Sequence, residues 1–123
     1  VEPGESVART IEREIAEEAG IVGRAESIVA VRNLVTKRVN DTFLVFTMSY
    51  LSGEPTPDRN EVSEAAFVPV PRFAALPDAA PFTKAMIEKV AGSRGFRRDA
   101  YAPPKSALDY ESYALYVEAA KGL

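Results

Sequence analysis

The stretch from Gly4 to Ile21 constrains this chain more than any other. Glu5 and Ser6 set an acid and a capping hydroxyl at its front, and Gly20 suits the position just past a helix end. Between them Val7, Ile11 and Ile15 recur every four residues as an apolar stripe, so the spacing predicts a short helix closed by a glycine. At roughly 100° per residue, Glu14 and Glu18 project close to that stripe, Glu18 between Val7 and Ile11, while Glu17 lies on the flank. An acid that only solvates a helix belongs on the opposite face. Three glutamates at i, i+3 and i+4 along the stripe's edge repel one another and lose hydration, and a divalent cation would relieve both costs. Spacing alone leaves a second reading open, a charged helix with ordinary pairs such as Arg13 with Glu17.

Composition bears on that choice through what is absent. The chain has no Cys, which removes disulfides, thiol nucleophiles and thiolate metal sites, and no His, which removes an imidazole base and a Ser-His-Asp triad. Acid–base work at neutral pH then falls to Glu, Asp, Lys, Tyr or metal-bound water. A site of carboxylates, carbonyls and waters selects hard cations, Mg²⁺ or Mn²⁺ before Zn²⁺ or copper. A net charge of −3 argues against non-specific nucleic-acid binding and leaves room for a locally charged cleft. No apolar run reaches membrane-spanning length and no signal peptide is visible, so the expected setting is cytoplasmic, with no membrane partner.

The wording of the helix resembles the signature of the Nudix hydrolases, G-x5-E-x7-R-E-U-x-E-E-x-G-U with U aliphatic. Glu5, then Arg13-Glu14-Ile15, then Glu17-Glu18, then Gly20-Ile21 fall on it in register. The signature's opening glycine would lie two residues before Val1, so the chain starts inside the motif, and the expectation is a piece of a longer protein. The resemblance implies that Glu14, Glu17 and Glu18 bind Mg²⁺ or Mn²⁺ and help activate water. It gives Glu14 a catalytic part, lets Arg13 orient a glutamate, lets Glu5 brace Arg13 or the loop, and makes Gly20 a helix terminator. It also implies a further glutamate from a later loop, Glu61 or Glu64, with Glu64 favoured as extra ligand or general base. The activity implied is hydrolysis of the pyrophosphate bond in a nucleoside diphosphate linked to another moiety, such as ADP-ribose or another nucleotide sugar. The competing reading is a Nudix-fold nucleotide-binding or regulatory module without catalysis. Such modules commonly lose signature glutamates, whereas all three are present here.

Along the rest of the chain, Ile21 to Gly23 reads as a turn. Ser27 to Leu34 and Thr42 to Leu51 read as strands, the second continuously apolar in its first half, as a strand covered on both faces would be. The connection from Val35 to Asp41 suits a hairpin. Its Lys37 and Arg38, with Arg32 before it, are candidates for substrate phosphate, although solvated hairpin charge explains them too. Ser52 to Asn60 is a loop by composition, Ala65 to Val70 a short strand, Pro71 to Leu76 a single helical turn, and Pro81 to Val90 a helix. A last helix is expected to start at Ser106 or Asp109 and run through Ala120, with Tyr110, Tyr113 and Val117 on one face.

These elements, with the resemblance, predict an α/β (α+β) fold: a Nudix-like α/β/α sandwich around a mixed sheet, with the first strands missing and a helical tail. The expected division is residues 1–95 as the hydrolase domain and 96–123 as an extension. The expected partner is a small nucleotide. With upstream strands missing, Phe43 to Phe46 would expose an edge or a face, and such edges recruit other chains, a homodimer among them.

Overall fold

The computed structural model describes residues 3–60, 65–73, 75–76 and 81–118. The predicted first helix is α1, Val7–Ala19. The Ser6 side chain accepts from the Arg9 N–H at 3.2 Å, filling one of the donors that a helix start leaves open. At the other end Gly20 takes a left-handed conformation (φ 71°) and its N–H returns to the Ala16 carbonyl. The helix is stopped again by tertiary contacts. The Thr56 N–H donates to the Ala19 carbonyl at 2.7 Å and the Asp58 N–H to the Glu18 carbonyl at 3.2 Å, so the loop after the second strand satisfies carbonyls that the last turn cannot.

Two long strands form the body of the sheet, β1 (Val22–Val35) and β2 (Asn40–Ser52), paired antiparallel through a short turn. Thr36 holds that turn: its N–H donates to the Val39 carbonyl, and its hydroxyl accepts from the Val39 and Arg38 N–H groups. β1 starts earlier than the sequence suggests, because Val22 and Gly23 pair with Ser52 and Tyr50 instead of forming a turn. The register shifts between Ala25 and Ser27 and again between Ile28 and Ala30, bulges that bend and twist the ribbon.

After the loop come α2 (Val70–Phe73), α3 (Pro81–Val90), β3 (Phe96–Arg98) and β4 (Tyr116–Glu118). The four strands lie in the order β2-β1-β3-β4, and every pairing is antiparallel. The sheet is therefore antiparallel among the described residues, where a mixed one was expected. Two further expectations are corrected. No strand forms between Ala65 and Pro69: two prolines, Pro69 and Pro71, lack ladder donors, and the Arg72 N–H closes a turn on the Pro69 carbonyl instead. The tail does not run as a helix from Ser106 or Asp109. Tyr116–Glu118 is extended, since β3 offers it an open edge, and Tyr113 packs on Tyr110 and Tyr101. Through β3 and β4, residues beyond 95 share the sheet with the signature end of the chain.

Side-chain alternation sets the layers. Leu44 and Phe46, with Ile28 opposite, face the side where Val7 of α1 and Tyr116 sit, and the Phe46 and Tyr116 rings meet edge-on at 5.8 Å. Arg32 and Phe43 face the other side, where Phe82 of α3 packs on Phe43 at 6.2 Å. The helices thus flank the sheet as a sandwich. Its interior is thin: among the described residues Ile21, at 7% exposure, is the buried apolar side chain and Ser27, at 5%, the buried polar one. β2 is an outer strand of the sheet, and Phe43 within it is half exposed.

Candidate functional site

The candidate site is built on α1 and the loop that stops it. Ile11, Ile15 and Ile21 form an apolar floor, and Glu14 and Glu18 stand on the wall of a pocket of about 480 Å³. Pro55, Ala66 and Phe67 close its far side. Phe67 is set edge-on to Tyr50 at 5.4 Å, and the Tyr50 hydroxyl donates to the Gly53 carbonyl at 2.7 Å, tying the wall to the loop. Gly20 and Gly53 let the helix end and the loop approach. A Cβ on Gly20 would come within 3.1 Å of the Glu54 carbonyl oxygen, and one on Gly53 would run into the Gly20 carbonyl oxygen.

Arg13 links the other signature acids. Its Nε donates to Glu5 Oε2 at 2.9 Å and one terminal nitrogen to Glu5 Oε1 at 3.1 Å, a two-point grip, while the other nitrogen reaches Glu17 Oε2 at 3.1 Å. The Thr10 hydroxyl donates to Glu5 Oε1 at 2.8 Å. Glu5 is 16% exposed and Arg13 30%, so this pair is strengthened by partial removal from water, whereas Glu17 at 61% is solvated. Glu14 and Glu18 share one pocket, and Glu17 is turned toward Arg13.

The residues fit a hard divalent cation in donor type, with two carboxylate residues lining one pocket and no sulfur or imidazole to bias it toward softer metals. Among the described residues no three acids already converge as a closed ligand set. Glu61 and Glu64, the acids expected from the later loop, lie outside the described residues.

The remaining candidates sit elsewhere. Lys37 and Arg38 occupy the exposed hairpin turn, roughly 40 Å along β1 from the end of α1 at strand rise. Arg32 faces the α3 side. Its guanidinium carbon lies 5.2 Å from the Phe43 ring centre and 5.4 Å from that of Phe82, and it donates to Asp41 Oδ2 at 2.6 Å. The structure does not bring these three cations to the Glu14 and Glu18 pocket. Sequence reasoning missed Phe67, hidden in what reads as a strand, and Glu12, whose carboxylate accepts from the Ala25 N–H at 2.9 Å and pins α1 to β1. Nothing in the local pattern separates Glu12 from a surface acid.

A capped helix carrying R-E-I-x-E-E, closed by Gly20 and laid on a twisted sheet, defines a class, and the family profile agrees. The NUDIX domain profile matches residues 1–90, and the chain belongs to the Nudix family. A search of curated proteins returned no match. The family hydrolyses nucleoside diphosphate derivatives and generally uses divalent metal cations. Among the described residues no helix is long and apolar enough to cross a membrane.

Proposed function

We propose that this chain carries a pyrophosphohydrolase site that cleaves, with Mg²⁺ or Mn²⁺, a nucleoside diphosphate linked to another moiety, such as a nucleotide sugar. The observation that carries the reading is the shared pocket of Glu14 and Glu18 above an apolar floor, beside an arginine already committed to Glu5 and Glu17. Glu14 and Glu18 would hold the cation, with Glu17 reaching it from the flank. The bound cation supplies charge neutralisation for the diphosphate and a more acidic water. The protein's own part is positional. Glu5 fixes Arg13, Arg13 fixes the bearing of Glu17, and the Gly20–Gly53 approach fixes the helix end beneath the loop. Glu61 and Glu64, in the segment that follows this loop, are the acids we assign to extra ligation or proton removal, Glu64 first.

The test is a panel of nucleoside diphosphate derivatives incubated with Mg²⁺, read by nucleoside monophosphate released. One or more substrates should be cleaved by the protein and not by Glu18→Gln. Tight nucleotide binding with no cleavage, unchanged in Glu18→Gln, would favour the binding-module reading instead.

A further inference from the structure

On the face of the sheet opposite α1, a pocket of about 520 Å³ lies under the end of α3, in the size range of small-molecule sites. Cross-strand pairing places Thr47, Ser27 and Arg97 in one row across β2, β1 and β3, so their side chains share a face. Ser93 and Arg94, just past α3, close the pocket from above. We propose that this pocket binds a tetrahedral oxyanion, inorganic phosphate or the phosphomonoester end of a small molecule, between Arg94 and the hydroxyls of Ser27 and Thr47.

The lining has the chemistry of an anion site. Glu26 is its one acid, and both its oxygens are engaged: Oε1 accepts from the Ser49 hydroxyl at 2.8 Å and Oε2 from Arg97 at 3.3 Å. Glu26 therefore offsets Arg97 and orients it along the rim. Arg94 has no ion pair or hydrogen bond among the described residues, which leaves the lining with a net positive charge. The hydroxyls point the same way. Ser27 is 95% buried as a residue and lines the cavity, and no hydrogen bond to its side chain is seen among the described residues. Its hydroxyl, at the cavity wall, can donate to a ligand oxygen in the pocket. The Ser93 oxygen already accepts from the Gly95 N–H at 3.2 Å, so its own proton is available to donate inward. Guanidinium with convergent hydroxyl donors suits phosphate geometry, and two arginines in the lining oppose a cation.

The experiment titrates inorganic phosphate into chelator-treated protein and follows heat or amide chemical shifts. Removing metal keeps the α1 acids from recruiting phosphate through a cation. Saturable binding in about the millimolar range is expected. Arg94→Gln and Thr47→Val, a surface change and a near-isosteric one, should each weaken it at least about fivefold with unfolding midpoints unchanged. Glu18→Gln should leave it unaltered. Nucleoside monophosphate competing more tightly than phosphate would identify the phosphomonoester source, and weaker competition the free ion. Absence of saturation, or binding that Glu18→Gln abolishes while Arg94→Gln and Thr47→Val do not, overturns the proposal.

Discussion

Arg13 grips Glu5 with two nitrogens at 2.9 and 3.1 Å across the first two turns of α1, and its third nitrogen holds Glu17. The signature positions Glu5, Arg13 and Glu17 are thus one connected group. The Glu5 carboxylate is the more buried end, and the Thr10 hydroxyl adds a third donor to it. Neutralising it loosens Arg13 and, through Arg13, the bearing of Glu17. Glu5→Gln should lower turnover about ten- to a hundredfold, the usual scale for a supporting partner behind a metal ligand. Initial-rate measurements across Mg²⁺ concentration check this. The loss should shrink as Mg²⁺ rises, because the defect lies in ligand positioning. Glu5→Gln turning over at the wild-type rate at every Mg²⁺ concentration would show the grip to be structural only.

Glu18 occupies a different place from Glu17. It lines the pocket with Glu14, and its backbone carbonyl anchors the loop through Asp58. Glu18→Gln keeps the shape and removes the charge, and it should reduce turnover by about a hundredfold or more, the size of a lost metal or acid–base contribution. Binding of Mn²⁺, followed by paramagnetic broadening, should weaken in parallel. A variant that retains full metal affinity would move the cation away from this wall.

These contrasts show what the sequence makes legible. The helix, its cap at Ser6, its stop at Gly20 and the two long strands follow from local pattern: a four-residue apolar recurrence, a hydroxyl, a glycine and β-branched runs. The tail did not, because Tyr110, Tyr113 and Val117 suit a helical face as well as an extended chain, and the choice was made by a strand edge at Phe96–Arg98. Arg32 was legible as an unusual charge near a strand end. Its two aromatic neighbours were not, since Phe82 lies fifty residues away on α3.

Gly20 is where local and tertiary demands coincide. Its φ of 71° disfavours any side chain, and a Cβ would press on the Glu54 carbonyl and the Thr56 side chain at 3.1 and 3.2 Å. Gly20→Ala should cost about 1–2 kcal/mol, the left-handed penalty alone, and lower the unfolding midpoint by several degrees. Calorimetry reads the midpoint. Turnover should fall as well, since the same contacts set the loop against Glu18.

Arg32 tests whether a cation that reads as a phosphate ligand is one. Its guanidinium sits beside the edge-on pair of Phe43 and Phe82, its Nε is buried without a partner, and its terminal nitrogen is held by Asp41 at 2.6 Å. The group is fixed by the strand pair and α3, on the sheet face away from Glu14 and Glu18. Removing it should therefore act on stability. Two ring contacts at a partly desolvated site are worth about 1–2 kcal/mol together, and Arg32→Met, which keeps an apolar stem beside the rings, should lose about that much in denaturant unfolding. KM for a cleaved nucleotide should stay within about twofold, well under 1 kcal/mol of binding. Arg32→Lys should recover only part of the stability, because a compact ammonium cannot contact both rings and reach Asp41 together as the broader guanidinium does. A large rise in KM at unchanged stability would return Arg32 to the substrate and place the nucleotide across the sheet from where Glu14 and Glu18 stand.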